Sequence, residues 1–147
     1  MDFIKKHIEW ILAIAIIGIL APSLLFKFGG AAEPAHIFNV VGEWIGLDFF
    51  KSTGQYIIGG VEALICVLML KPSVRVFGAV LSAGTMAGAI IFHLFSPLGV
   101  TVKWMENGEM QEDGSLFYMA CVAFICSLII MWRRKDQLLA LLGRKSG

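Results

Sequence analysis

Charge is scarce in this sequence. Asp, Glu, Lys and Arg make up 16% of its 147 residues, against 58% hydrophobic, and the mean hydropathy is +0.80. A water-soluble domain of this length needs more polar surface than that. Cysteine is scarce too: Cys66, Cys121 and Cys126 stand without any C-x-x-C spacing. That excludes a disulfide framework and a thioredoxin-type redox centre. All three lie in apolar stretches, where a small soft side chain fills a helix contact. Histidine occurs three times, at positions too different in depth to ligate one haem, and no zinc spacing is present. A P-loop and a Ser-His-Asp grouping are likewise missing, and a net charge of +1 offers no basic face to nucleic acid. Internal repeats and low-complexity segments are absent.

What is abundant is apolar sequence in long blocks. Four of them run at about 8–26, 53–70, 74–95 and 116–132. Crossing about 30 Å of hydrocarbon takes about 20 helical residues, with about 17 the lower limit. The blocks therefore predict an all-α four-helix transmembrane bundle, one integral-membrane domain over 1–147 with a tail at 133–147. "MDFIKKHIEWILAIAIIGIL" also resembles a signal peptide, but its apolar run is longer than a signal core and is read as a span.

Basic residues orient the bundle. Lys5, Lys6, Lys71, Arg75, Arg133, Arg134, Lys135, Arg144 and Lys145 fall on one side, nine of twelve. Lys27, Lys51 and Lys103 fall on the other, with seven acids. Both termini are expected in the cytoplasm, in the inner membrane of a bacterial cell.

The connections carry signals of their own. In "EPAHIFNVVGEWIGLDFF" the residues Ile37, Val40, Val41, Trp44, Ile45 and Asp48 recur at helical spacing, which predicts a helix lying in the outer interface. "GVTVKWMENGEMQEDG" alternates around Asn107-Gly108, a two-residue hairpin signal that sets Lys103 opposite Glu112. Asp113 or Ser115 is expected to cap the fourth span. "KPSVR" is a tight turn, so the second and third spans are antiparallel neighbours. "QLLALLGRKSG" reads as a short amphipathic extension on the inner surface.

Against this apolar background, "YIIGGVEALICVLMLKP" places Glu62 within a span. An intramembrane carboxylate costs about 2.5–3.5 kcal/mol on insertion scales and marks a functional site by default. At about 1.5 Å per residue it lies roughly 10 Å below the outer surface, His93 roughly 3 Å below it, and Lys27 closes the first span at that surface. Lys27 is long enough to reach down and pair with Glu62, and His93 is within reach through a water. Glu62 shares a stripe with Gly59, Cys66 and Met69, so that face can open a cavity. Gly84 and Gly88, in "GTMAG", stand opposite the stripe of Ser82, Met86, Ala89 and His93. Their small-xxx-small spacing suits close packing, within the bundle or in a homodimer.

Three stretches, "LLFKFGG", "GQYIIGGVEALICVLMLKPSVR" and "DGSLFYMACVAFICSLIIMWRR", together with Gly46 and "AIIFHLF", resemble the DoxX-like family of small four-span membrane proteins. The resemblance runs from about Gly18 to Arg134. It implies Lys27 and Glu62 as a recurrent polar pair, with His93 at a common position in the third span. Many relatives carry an arginine early in the first span, and "AIAIIGILAPS" has none. Family functions vary: subunits of a thiosulfate–quinone oxidoreductase, partners of redox and thiol-defence complexes, assembly factors and cargo binders.

The leading expectation is a non-catalytic membrane subunit of a redox or quinone-linked complex. Its outward pocket at Lys27, Glu62 and His93 would hold a quinone or other small apolar ligand, without haem or metal. The expected partners are the lipid bilayer, a redox-complex protein and a second copy of the chain. Two other classes stay open: an assembly factor with a purely structural Glu62, and a small proton-coupled transporter.

Overall fold

The structure, a computed structural model, describes residues 2–29 and 32–143, with side chains described for 7–29 and 32–140. The lysines at positions 5 and 6 and the basic residues 144 and 145, used above for orientation, lie outside the described side chains. In chain order the elements are α1 (Asp2–Phe28), α2 (Ala32–Ile45), α3 (Asp48–Leu70), α4 (Arg75–Phe95), β1 (Val102–Glu106), β2 (Glu109–Asp113), α5 (Ser115–Arg133) and α6 (Lys135–Gly143).

Four of these helices, α1, α3, α4 and α5, are long and apolar enough to cross a membrane. A helix is the form that satisfies its own backbone where no water can. The fold is an all-α four-span bundle in which α1 and α4 each pack against both α3 and α5. Ala13, Ile16, Leu20, Ile65, Met69, Ala79, Ala123 and Ile130 fill its centre. Ile11, Leu25, Leu64, Val67 and Ile125 face outward, as apolar side chains do when the solvent is lipid.

The Lys71–Val74 turn joins α3 to α4 as antiparallel neighbours, and Gly78 makes their approach close. A Cβ there would stand 2.9 Å from Leu68 Cβ and 3.0 Å from Met69 Cε. Asn107 and Gly108, both at positive φ, turn β1 into β2, and Lys103 pairs with Glu112 in register. The start of α5 is held by Asp113, whose carboxylate accepts from the Ser115 N–H at 2.8 Å.

One boundary differs from the sequence reading. The helical stripe through Asp48 is cut in two, because α2 stops at Ile45 and Asp48 opens α3. Gly46 adopts φ 79°, and the Leu47 N–H closes back on the Gly42 carbonyl at 2.9 Å while the Gly46 N–H bonds Glu43 at 3.2 Å. That is a Schellman stop, which needs a residue able to take a left-handed conformation. As a result α2 folds back over the bundle. The first part of its stripe packs inward, with Val41 against Leu98 and Val102, and the neighbouring Phe38 packs on Phe50, while Trp44 and Ile45 stay exposed. Below, this side of the molecule is the α2 end, and the side with the α3–α4 turn is the turn end.

The turn end is tied by one carboxylate. Glu9 Oε1 accepts from Arg75 Nη1 at 2.7 Å and from Arg134 Nη2 at 2.6 Å. Arg75 is 1% exposed, gives its Nε to the Met69 carbonyl at 2.7 Å and lies 4.0 Å from the centre of the Trp10 ring. Arg134 also bonds Gln137, which reaches the Ser73 carbonyl, so α1, α4, α5, α6 and the turn meet at Glu9. Glu9→Gln removes the charge that two guanidiniums share. The expected loss is about 2–3 kcal/mol of unfolding free energy, as for a broken, largely buried pair. Unfolding in mild detergent measures it, and an unchanged midpoint would show that Glu9 is not what holds this end.

Candidate functional site

Beneath α2 the four spans part around a cavity of about 320 Å³. Its apolar wall includes Leu20, Ile37, Phe38, Val41, Met86 and Phe92, and its polar lining comprises Ser23, Lys27, Glu33, Glu62, Thr85 and His93. The size and the mix of greasy wall with a few polar groups are those of a small-molecule site.

Glu62 is delivered by α3. Gly59, one turn nearer the α2 end, lets the Phe28 ring of α1 press against the helix, since a Cβ there would stand 3.0 Å from the ring. This close approach of α1 and α3 brings Lys27 Nζ to 2.8 Å from Glu62 Oε1, with side chains 14% and 4% exposed. At that distance the ammonium and the carboxylate oxygen form a close, largely buried ion pair. The ammonium also donates to Ser23 Oγ at 3.1 Å, and the Ser23 hydroxyl donates to the Leu20 carbonyl at 2.9 Å. Charge is neutralised by Lys27, and both side chains line the cavity.

His93 enters from α4. Its Nδ1 lies 2.7 Å from the Gly99 carbonyl, and a carbonyl only accepts, so Nδ1 carries a proton. In the neutral ring Nε2 is then a bare acceptor. Gly99, at φ 75°, makes the turn after α4, and the edge of Phe117 packs against the imidazole at 5.8 Å. Ser82 and Ser127 bond each other at 2.7 Å further along the same face of α4, which fixes α4 against α5.

The structure gathers all five residues singled out in the sequence around one space: Lys27, Glu62, His93, Gly84 and Gly88 all line it. The two glycines do not pack against another part of the chain, for a Cβ on either would meet nothing within 4 Å.

Glu33 was missed. The sequence gives it only as one more acid in a connection, yet α2 carries it to the cavity rim, where Oε1 lacks a hydrogen bond. Burial pushes its carboxyl above the usual range, Asp113 and Glu106 push it further, and Lys27 opposes them. Glu9 was missed as well, because its partners lie 66 and 125 residues away in sequence. Among the described residues no group of three or more His, Cys, Asp or Glu could hold a metal ion.

No family model, curated protein or solved structure matches this chain.

A buried pair whose loss strands one charge behaves differently from a pair replaced whole. Lys27→Met should lower the unfolding free energy by about 2–3 kcal/mol, and adding Glu62→Met should recover most of that. A double-mutant cycle on thermal unfolding checks it; additive losses would mean that the two side chains are not coupled.

Proposed function

We propose that this chain is a DoxX-like, non-catalytic membrane subunit of a redox or quinone-linked complex, holding a small apolar or quinone-like molecule beneath α2. The observation that carries this reading is the Lys27–Glu62 ion pair, buried in the spans on the wall of an apolar cavity. An intramembrane carboxylate marks a functional site by default, and this one borders an open volume. His93 adds a second acceptor to the same space. Glu62 orients the ligand, Lys27 balances its charge, and no bond is made or broken.

The reading includes a placement. The α2 end faces outward from a bacterial inner membrane, and both termini are cytoplasmic. Lys71, Arg75, Arg133, Arg134 and Lys135 cluster at the turn end, in keeping with the excess of basic residues on the cytoplasmic side. The face bearing Gly84 and Gly88 is the seam proposed for a homodimer, and a redox-complex protein is the proposed partner at the α2 end.

Two measurements test this reading. Glu62→Gln keeps the shape and removes the charge, so the bundle should fold while quinone-induced thermal stabilisation falls by about tenfold in apparent affinity, the cost of one charged hydrogen bond. Equal stabilisation of both proteins would refute the site. Orientation is read with a membrane-impermeant lysine reagent on intact cells, which should label Lys51 and Lys103 and spare Lys71 and Lys135. The reverse pattern would invert the placement.

A further inference from the structure

One edge of the α4 face that borders the cavity is turned outward. Phe77, Val80, Leu81, Ile91 and Leu94 form the exposed stripe of this helix, and Gly84 continues it. Gly84 is thus exposed and cavity-lining at once. Nothing stands within 4 Å of where its Cβ would be, and the same holds at Gly88 one turn on. Gly78 packs tightly on α3 near the turn, whereas Gly84 and Gly88 border open space. The α3 residues lining the cavity are Phe50, Ile58 and Glu62.

The level of this opening matters. Glu62 is eight residues from the end of α3, and Gly84 is nine from the start of α4. At about 1.5 Å per residue both stand roughly 12–14 Å from the shared turn. The gap therefore opens at the depth of the carboxylate, well inside the hydrocarbon. On the α1 side the cavity is bordered by the bulky Phe26 ring; on the α4 side, at Gly84, there is no side chain.

The polar groups indicate what kind of head would settle there. Glu62 and Glu33 both line the cavity, and His93, with its proton on Nδ1, offers Nε2 as an acceptor. The Ser23 and Thr85 hydroxyls are already donating to the Leu20 and Leu81 carbonyls. Among the described residues Lys27 is the one lysine or arginine in the lining, and its charge is matched by Glu62. Acceptors are in excess, so the complementary head carries O–H donors.

From this we infer that the gap between α3 and α4 at Gly84 is a membrane-side entrance. It admits a lipid-soluble molecule with a hydroxyl-bearing ring or head, which settles at Glu62 while its hydrocarbon tail runs out past Gly84 into the bilayer. For a quinone-like ligand the preferred form is the diol and not the dione. This rests on the site reading above and adds the route and the head chemistry.

The test uses the full chain in phospholipid nanodiscs, kept anaerobic with reductant. The probes are decyl-hydroquinone, tail-less hydroquinone, and the dimethyl ether of the decyl probe. Association is followed by tryptophan fluorescence, since the Trp44 ring packs on Phe92 of the cavity wall at 5.9 Å. Gly84→Leu should slow association of the decyl probe by about tenfold or more and leave the tail-less probe nearly unchanged. Gly60→Leu is the control, an exposed glycine with open space around it that does not line the cavity, and it should change neither. The dimethyl ether, which cannot donate, should bind about tenfold more weakly than the diol. Indistinguishable Gly84→Leu and Gly60→Leu proteins would overturn the entrance, while retained binding that Glu62→Gln abolishes would leave the site standing. An ether that binds as well as the diol would overturn the head assignment. Should Gly84→Leu turn a dimer into monomers without slowing the decyl probe, the glycine is a seam and not an entrance. If the wild-type chain binds none of the probes, the site reading and this inference fall together.

Discussion

Hydrocarbon cannot solvate an ion, and the arrangement of this bundle follows from that. Every charged side chain carried into the spans must find its counter-charge on another helix, or the helix bearing it does not stay in the membrane. Two such arrangements are present, one toward each end. At the turn end Glu9 gathers Arg75 and Arg134, so that four helices converge on one carboxylate. Toward the α2 end Lys27 reaches down to Glu62. Between them the core is largely apolar, with the Ser82–Ser127 bond among its polar contacts.

The two arrangements differ in their surroundings. Glu9 Oε1 receives hydrogen bonds from both arginines, and Arg75 is further held by a carbonyl and by the Trp10 face. That is a clamp. Glu62 is paired with Lys27 beside an open volume. An ion pair on the wall of a cavity can meet a ligand, whereas one enclosed by helices cannot. The proposed binding role grows from that contrast.

The roof over the cavity depends on one residue that bends the chain. Without the left-handed Gly46, α2 would run on through Leu47 and Asp48 as its periodicity suggests, and its apolar stripe would face the interface. Ending α2 there turns the stripe onto the bundle, where Phe38 and Val41 become wall residues. Hairpin and helix then close one end, while the glycines of α4 leave its flank bare.

Much of this was legible in the sequence. Hydrophobic length alone determined four spans, because the bilayer sets a single length that every crossing helix must meet. Asn107-Gly108 determined the hairpin and its register, because few residues take positive φ twice in succession. Depth counting put Lys27, Glu62 and His93 in the same half of the bundle, since rise per residue is fixed. Tertiary structure decided the rest. The partners of Glu9 come from helices far along the chain, and no local pattern says which helices will adjoin. Glu33 joins the cavity only because α2 folds over it. Gly84 and Gly88 read as a packing motif, since spacing reports that backbones can approach and not whether any backbone does, and within this chain none does.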